Sequence, residues 1–342
     1  MPLKVLQPAI DRRRTDARSG WPEPEPAARA AWRAERLLME RARVKFSPFG
    51  RVPIPRVKLL QAASSSVRWL AGVAGLSGRI ARTALDIQRT ELELAFDHLP
   101  PAFDGYTIVQ IADPHFDSLP GLDAAIAAAI DGLAADLVVL TGDYRMIDTG
   151  AFDRRSLTRA LGLLQDAINP ADGVLAILGN HDTATMIEVL EGDFGIRVLV
   201  NETVDLRRGR DRLEIVGTDD PHRFHGARAA DFLERLGAAT EFRIALVHSP
   251  ELASPMAELG AALYLCGHTH SGQICLPGGR PLICQLHAER ALARGLWRRG
   301  EMVGYTSAGA GVSGSLPLRL NSRSEVVRIR LRRRAPIPRT RE

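Results

Sequence analysis

Two histidines one residue apart, His268 and His270, stand in Gly267-His268-Thr269-His270-Ser271-Gly272-Gln273, directly after the apolar run Ala261–Cys266. The run reads as a buried strand. The pair therefore lies where a strand gives way to a glycine-permitted loop. In extended backbone the two side chains would face opposite ways, but on a loop both can turn toward one point. Neutral imidazole is a common transition-metal ligand. In isolation the pair reads equally as two solvated loop histidines, so the other strand ends decide. Tyr106–Ala112 ends in Asp113-Pro114-His115, and Leu137–Leu140 ends in Thr141-Gly142-Asp143. Val174–Leu178 ends in Gly179-Asn180-His181-Asp182, and Phe242–Val247 in His248-Ser249-Pro250. Five of the nine histidines thus follow β-like apolar runs immediately, together with acids and an asparagine, which is more than solvated loops explain.

The donors are nitrogen and oxygen, with no thiolate. That set suits Mn, Fe, Zn or Co rather than a structural zinc site. There are too many donors for one ion. Two divalent ions, roughly 3.5–4 Å apart and bridged by a carboxylate, would use them all. Such a centre makes a hydroxide nucleophile near neutral pH and neutralises phosphoryl oxygens during in-line displacement. The cysteines Cys266, Cys275 and Cys284 fit neither a disulfide framework nor a zinc ribbon. Cys266, inside an apolar run, reads as a small hydrophobe.

Helix-forming stretches Leu122–Ala135 and Arg154–Ile168 separate the first three runs; Leu157, Leu161, Leu164 and Ile168 share one helical face. Strand, polar tip and helix in alternation predict β-α-β units and a largely parallel sheet, with ligands at the carboxyl ends of the strands. Leu92–Phe96 alternates like an edge strand. Beyond Arg197 the texture changes. Short runs at Val198–Val200, Val204–Leu206 and Leu213–Val216 predict an antiparallel second sheet, with a helix at Ala227–Leu236. Val303–Ser307 and Val326–Leu331 read as its closing strands.

The chain has 342 residues, 45% hydrophobic and 25% charged, ordinary for a soluble globular protein with one large domain and extensions. Its net +5 is uneven: residues 1–60 carry +8 and residues 323–342 carry +6, leaving about −9 between them. The basic ends attract an anionic surface or serve as solubilising tails. The expected organisation is a basic, Pro/Arg-rich extension over residues 1–90, a domain over 91–334 and a basic tail over 335–342. Within the extension Trp21–Pro26 is proline-set and extended, and Ala27–Val44 forms a short basic helix. Val67–Leu85, interrupted by Gly72, Gly75 and Gly78, reads as an amphipathic helix that either lies on a membrane or packs on the domain. Residues 1–30 lack the apolar run of about 7–15 residues that a signal peptide needs. Trp69–Leu76 is far below the ~20 residues that span a bilayer.

The ordered set Asp-x-His, Gly-Asp, Gly-Asn-His-Asp, His and Gly-His-x-His resembles that of the calcineurin-like metallophosphoesterases, over residues ~105–310. The resemblance implies a two-sheet αββα sandwich and assigns roles. Asp113, His115 and His270 hold a first divalent metal; Asn180, His248 and His268 hold a second; Asp143 bridges them. His181 faces the substrate phosphate and protonates the leaving oxygen, and Asp182 orients His181. Asn201-Glu202, Gly217-Thr218-Asp219-Asp220, Pro277 and Ser307–Gly311 with Pro317-Leu318-Arg319 further resemble a bacterial, often membrane-associated branch. Some of its members cleave the pyrophosphate of UDP-2,3-diacylglucosamine in lipid A synthesis. Ala112 stands where that branch often has Ser or Thr, and Ser271 where Gly is frequent; neither removes a ligand. The branch's frequent N-terminal transmembrane segment is not evident, so the expectation is a cytoplasmic enzyme held peripherally at the inner membrane. A nuclease or cyclic-nucleotide phosphodiesterase of the same superfamily is the alternative, but the basic ends lack aromatic residues for base stacking. A non-catalytic scaffold should have lost ligands, and here every position is filled. His222 and His225 read as loop residues, solvated or lining the cleft; His98 and His287 as structural. Arg319 reads as a phosphate or carboxylate contact, or as a salt bridge holding the C-terminal strand.

Overall fold

The structure, a computed structural model, describes residues 21–42, 77–146, 152–239, 241–278, 280–281, 286, 289–313 and 318–334. Strands β2 (Thr107–Ile111), β3 (Leu137–Thr141) and β4 (Val174–Ile177) carry the first three polar tips. Each strand is apolar on both faces. Ile108, Leu137, Val139, Leu175 and Ile177 point to one side, while Val109, Ile111, Val138, Leu140 and Ala176 point to the other. Burial on both faces is the habit of central parallel strands. Helices α3 (Leu122–Ile130) and α4 (Arg154–Ala167) cover the outer side with Leu122, Ile126, Leu157, Leu161 and Leu164.

The inner side packs on a second sheet built from β6 (Glu202–Arg208), β7 (Asp211–Gly217), β8 (Phe242–Leu246), β9 (Ala261–Cys266), β10 (Gly295–Arg299) and β11 (Met302–Thr306). Ile215, Ile244, Leu246, Leu263, Leu265 and Val303 fill the space between the sheets. Helices α5 (Ala227–Leu236) and α6 (Ala253–Glu258) cover the far face through Phe232, Leu233 and Met256. The result is the expected αββα sandwich. With β1 (Ile87–Phe96), β5 (Arg197–Val198) and β12 (Ser324–Arg333), the sheet orders are β1-β12-β2-β3-β4-β5 and β10-β11-β9-β8-β7-β6.

Three expectations about the sheets are corrected. β5 (Arg197–Val198), expected in the second sheet, pairs parallel with β4 at the edge of the first. β12 (Ser324–Arg333), expected to close the second sheet, enters the first between β1 (Ile87–Phe96) and β2. Both faces of β12 are used: Val327, Ile329 and Leu331 enter the inter-sheet core, and Val326 enters the outer one. The second sheet is mixed rather than antiparallel. β7, β8, β9 and β11 run parallel, and only its two edges, β6 and β10, are antiparallel. A short apolar run looks alike in either sheet, so composition did not separate these cases. β1 is an edge strand as expected, but it starts at Ile87, ahead of the expected boundary at residue 91.

Helix α1 (Pro26–Ala42) matches the basic helix expected in the extension. The Glu25 carboxylate accepts from the free N–H groups of Ala27 and Ala28, and Pro26 takes the first helical position, where no N–H is needed. The helix lies on the domain: Trp32 is buried, and Arg29 pairs with Glu191 and Glu202 at 3.2 and 2.9 Å. Of the expected amphipathic helix only α2 (Ser77–Leu85) falls among the described residues; 67–76 lie outside them, as do Cys284, His287, Pro317 and the tail 335–342. Among the described residues no helix is long and apolar enough to cross a membrane.

Candidate metal centre

Loops leaving five strands meet at one end of the sandwich. Asp113 and His115 follow β2, and Asp143 follows β3. Asn180, His181 and Asp182 follow β4, His248 follows β8, and His268 and His270 follow β9. All nine predicted site residues are brought together there. Asp113, His115 and His270 offer ligand atoms within 4.8 Å of one another, and so do Asp143, His248 and His268. The Asn180 Oδ1 joins the second group, 3.0 Å from His248 Nε2 and 2.8 Å from His268 Nδ1. Asp143 stands between the groups: its Oδ2 lies 3.3 Å from His248 Nε2 and 3.8 Å from His115 Nε2. All seven side chains are buried.

This convergence is bought with backbone strain. Asp113, His115, Asp143, His268 and His270 have φ of 47, 41, 57, 70 and 49°. Each such residue costs on the order of 1–3 kcal/mol and persists only where its surroundings impose it. Bonds between the loops do so. Asp113 N donates to Gly142 O at 3.1 Å, His115 N to Asp143 O at 3.0 Å, and His268 N to Asp113 Oδ1 at 2.9 Å. Gly267 is required for the same reason. A Cβ there would collide with Asp113 Oδ2 and come within 2.8 Å of Ala112 Cβ. Gly267→Ala should therefore displace Asp113 and lower turnover about 10²-fold, the usual cost of an ångström of misplacement. Metal titration alongside rates would check it; wild-type metal affinity in the variant would refute the collision.

The residues fit metal ions by their tautomers and charge. Backbone carbonyls only accept, so His115 Nδ1 donates to Arg145 O at 2.8 Å and His248 Nδ1 to Thr141 O at 2.9 Å. Their Nε2 atoms are thereby aimed into the clusters, as those of carbonyl-anchored ligand histidines are. Burial pushes His115 down to about 4, and His268 and His270 well below the ordinary imidazole range, so these rings are neutral. Burial also pushes Asp113 up to about 7, with the Asp143 charge adding to it. Burial would lower His248, but the Asp143 and Asp113 carboxylates hold it well above its usual value. Asp143, although burial raises it, is kept well below the carboxylate range by His248 and His181. Its Oδ2 and the Asn180 Oδ1 converge on His248 Nε2, a focus that calls for a cation.

His181 lies beside the first group and is not part of it. Its ring stands edge-on to His115, 5.4 Å between centroids, and its backbone N–H donates to Asp143 Oδ1 at 2.8 Å. Asp182 is corrected. It does not orient the His181 ring, whose buried Nδ1 has no hydrogen-bond partner among the described residues. The Asp182 carboxylate accepts instead from Gly179 N, Asp143 N and Tyr144 N, at 2.7, 2.7 and 2.8 Å. It ties the β3 tip to the β4 tip.

Arg319 takes neither expected role. Buried, it donates to the carbonyls of His270, Ala308, Gly309 and Gly311 and so fixes the His270 loop. His98 is exposed. His222, read as a loop residue, is drawn to the cluster: its Nδ1 donates to Glu251 Oε1 at 2.7 Å, and its ring lies 4.3 Å from that of His268. Glu251, three residues after His248, carried no signal of its own. Arginines were missed as well: Arg145 and Arg223 donate to the carbonyls of His181 and Asn180, at 2.7 and 3.0 Å.

An αββα sandwich with Asp, Asn and His side chains gathered at its strand ends defines the metal-dependent phosphoesterases, hydrolases of phosphoric esters. The sequence model described as Calcineurin-like phosphoesterase matches residues 106–272, and the chain belongs to this family. It is 31% identical over 248 residues to the uncharacterized metallophosphoesterase YkuE of Bacillus subtilis, covering 70% of this chain and 84% of that one. To the phosphodiesterase YaeI of Escherichia coli it is 28% identical over 292 residues, covering 81% of this chain and 99% of the other. Family members use divalent metals.

Proposed function

We propose that this chain hydrolyses a phosphodiester or pyrophosphate bond with two divalent ions. Asp113, His115 and His270 hold one, Asn180, His248 and His268 the other, and Asp143 serves both. The observation that carries this reading is the single Asp143 oxygen within 4 Å of ligand nitrogens in both groups. Such ions, when bound, supply an activated water and neutralise phosphoryl charge. The protein's own residues do the rest. Arg145 and Thr141 carbonyls hold His115 and His248 in the ligating tautomer. His181, beside the first group and outside the ligand set, gives its proton to the leaving oxygen. YaeI is named a phosphodiesterase, which supports a diester over a monoester.

The substrate we favour is a lipid-linked nucleotide such as UDP-2,3-diacylglucosamine, met at an anionic membrane surface. The branch motifs around Asp219-Asp220 and Gly267–Gln273 support it, and so do the basic ends. The test is a screen of the metal-reconstituted protein against diesters, monoesters and nucleotide-lipid pyrophosphates, together with flotation on anionic vesicles. Cleavage of the lipid pyrophosphate and co-flotation are expected. Selective cleavage of nucleic acid or a cyclic nucleotide would replace this substrate; no turnover of any ester would overturn the reading.

A further inference from the structure

The loop that carries Asn180 and His181 is held by an unusual device. Its four successive carbonyls, from Gly179 to Asp182, each accept from an arginine. Arg36 Nη2 donates to Gly179 O at 3.1 Å and to Asp182 O at 2.8 Å, bracketing the two middle residues. Arg223 takes Asn180 O and Arg145 takes His181 O. The N–H groups of Gly179 and His181 turn the other way, toward the Asp182 and Asp143 carboxylates. Arg145 and Arg223 belong to the matched family region, but Arg36 comes from helix α1, far outside residues 106–272.

Arg36 is 1% exposed, and each of its nitrogens is engaged. Nη1 is ion-paired with Asp219, Nε donates to Glu40 Oε1 at 3.1 Å, and the guanidinium carbon lies 3.3 Å from the Phe224 ring centroid. The neighbours extend the clasp. Trp32 Nε1 donates to the other Asp219 oxygen at 2.7 Å, and Ala184 N, just past the loop, donates to Glu40 Oε1 at 2.8 Å. A planar fork that serves Asp219, Glu40 and two carbonyls from three separate nitrogens is something lysine, with its single nitrogen, does not reproduce.

We infer that Arg36 is a positioning residue for His181, so that the active site of this chain is completed by a helix from outside the catalytic domain. The inference rests on the reading of His181 as the acid that protonates the leaving oxygen. An acid matters little when the leaving group is a good one and much when it is poor. Misplacing His181 should therefore be read in the leaving-group dependence and not in activity as a whole.

The experiment compares bis-para-nitrophenyl phosphate, a good leaving group, with diphenyl phosphate, a poor one, in the full-length metal-loaded protein. His181→Ala is the control, expected to lose about 10²-fold or more on the phenyl ester and far less on the nitrophenyl ester. Arg36→Lys keeps the charge beside Asp219 and should give the same selective loss, about tenfold, with metal content unchanged. Glu40→Gln, which loosens Arg36 without removing it, should give a smaller loss of the same kind and keeps the test alive if Arg36→Lys does not fold. Equal losses on both esters in the folded Arg36 and Glu40 variants, or none, would overturn the inference while the His181 control stands. A control with no leaving-group selectivity would instead remove the role of His181.

Discussion

Asp143→Asn should abolish metal binding at both groups while leaving the fold intact. The amide has the carboxylate's shape and can still accept the His181 N–H through Oδ1. What changes is the oxygen that faces His248 and His115 at 3.3 and 3.8 Å. An uncharged amide there removes the one charge shared by the two groups. Metal ions stabilise phosphoryl transfer by several kcal/mol, so losing about 4 kcal/mol lowers turnover on the order of 10³-fold. The metal-free variant should unfold earlier than the metal-free wild type. Asp143 pairs with His248 at 3.3 Å and is held ionised by it, and removing one partner of a buried pair leaves the other charge uncompensated. Elemental analysis and thermal melts check both statements. Two retained equivalents of metal per chain would contradict the shared role of Asp143.

His181→Ala should have the second-largest effect, and of a different kind. His181 contributes no ligand atom to either group, and its ring meets His115 only edge-on. Metal content should stay at the wild-type level. Turnover of substrates with poor leaving groups should fall 10²–10⁴-fold, the usual contribution of a positioned acid or base. The Asp182 carboxylate is committed to three backbone N–H groups and does not share in this role. Loss of metal in the variant, or an unchanged rate on a phenyl ester, would remove His181 from the reaction.

The Asp182 correction illustrates a general limit on reading such loops. In Gly-Asn-His-Asp the two side chains are adjacent, and adjacency suggests that one orients the other. The loop bends so that the Asp182 carboxylate turns inward onto the backbone of the β3 tip. Gly179 permits that approach, since a side chain there would collide with the Asp143 carboxylate. Neither this requirement for glycine nor its consequence for Asp182 is legible in the four residues alone.

The sequence by itself determined the five strands that carry the site, their polar tips and the set of side chains that meet. Each of these five announces itself by an apolar run, and each tip by an abrupt return to polar residues; both are local signals. Strand β10 was not legible, since its run is short and half exposed. The helix Ala227–Leu236 and the strand Ala261–Cys266 lie where they were expected for the same reason. Only the tertiary structure decided which sheet β5 and β12 join, because pairing between distant strands depends on which edge is open and not on the strand's own residues. It alone placed His222 and Glu251 beside His268. It alone turned Arg36 inward as well, since an arginine on a basic helix reads as solvent-facing until a backbone carbonyl meets it, and backbone carbonyls have no sequence.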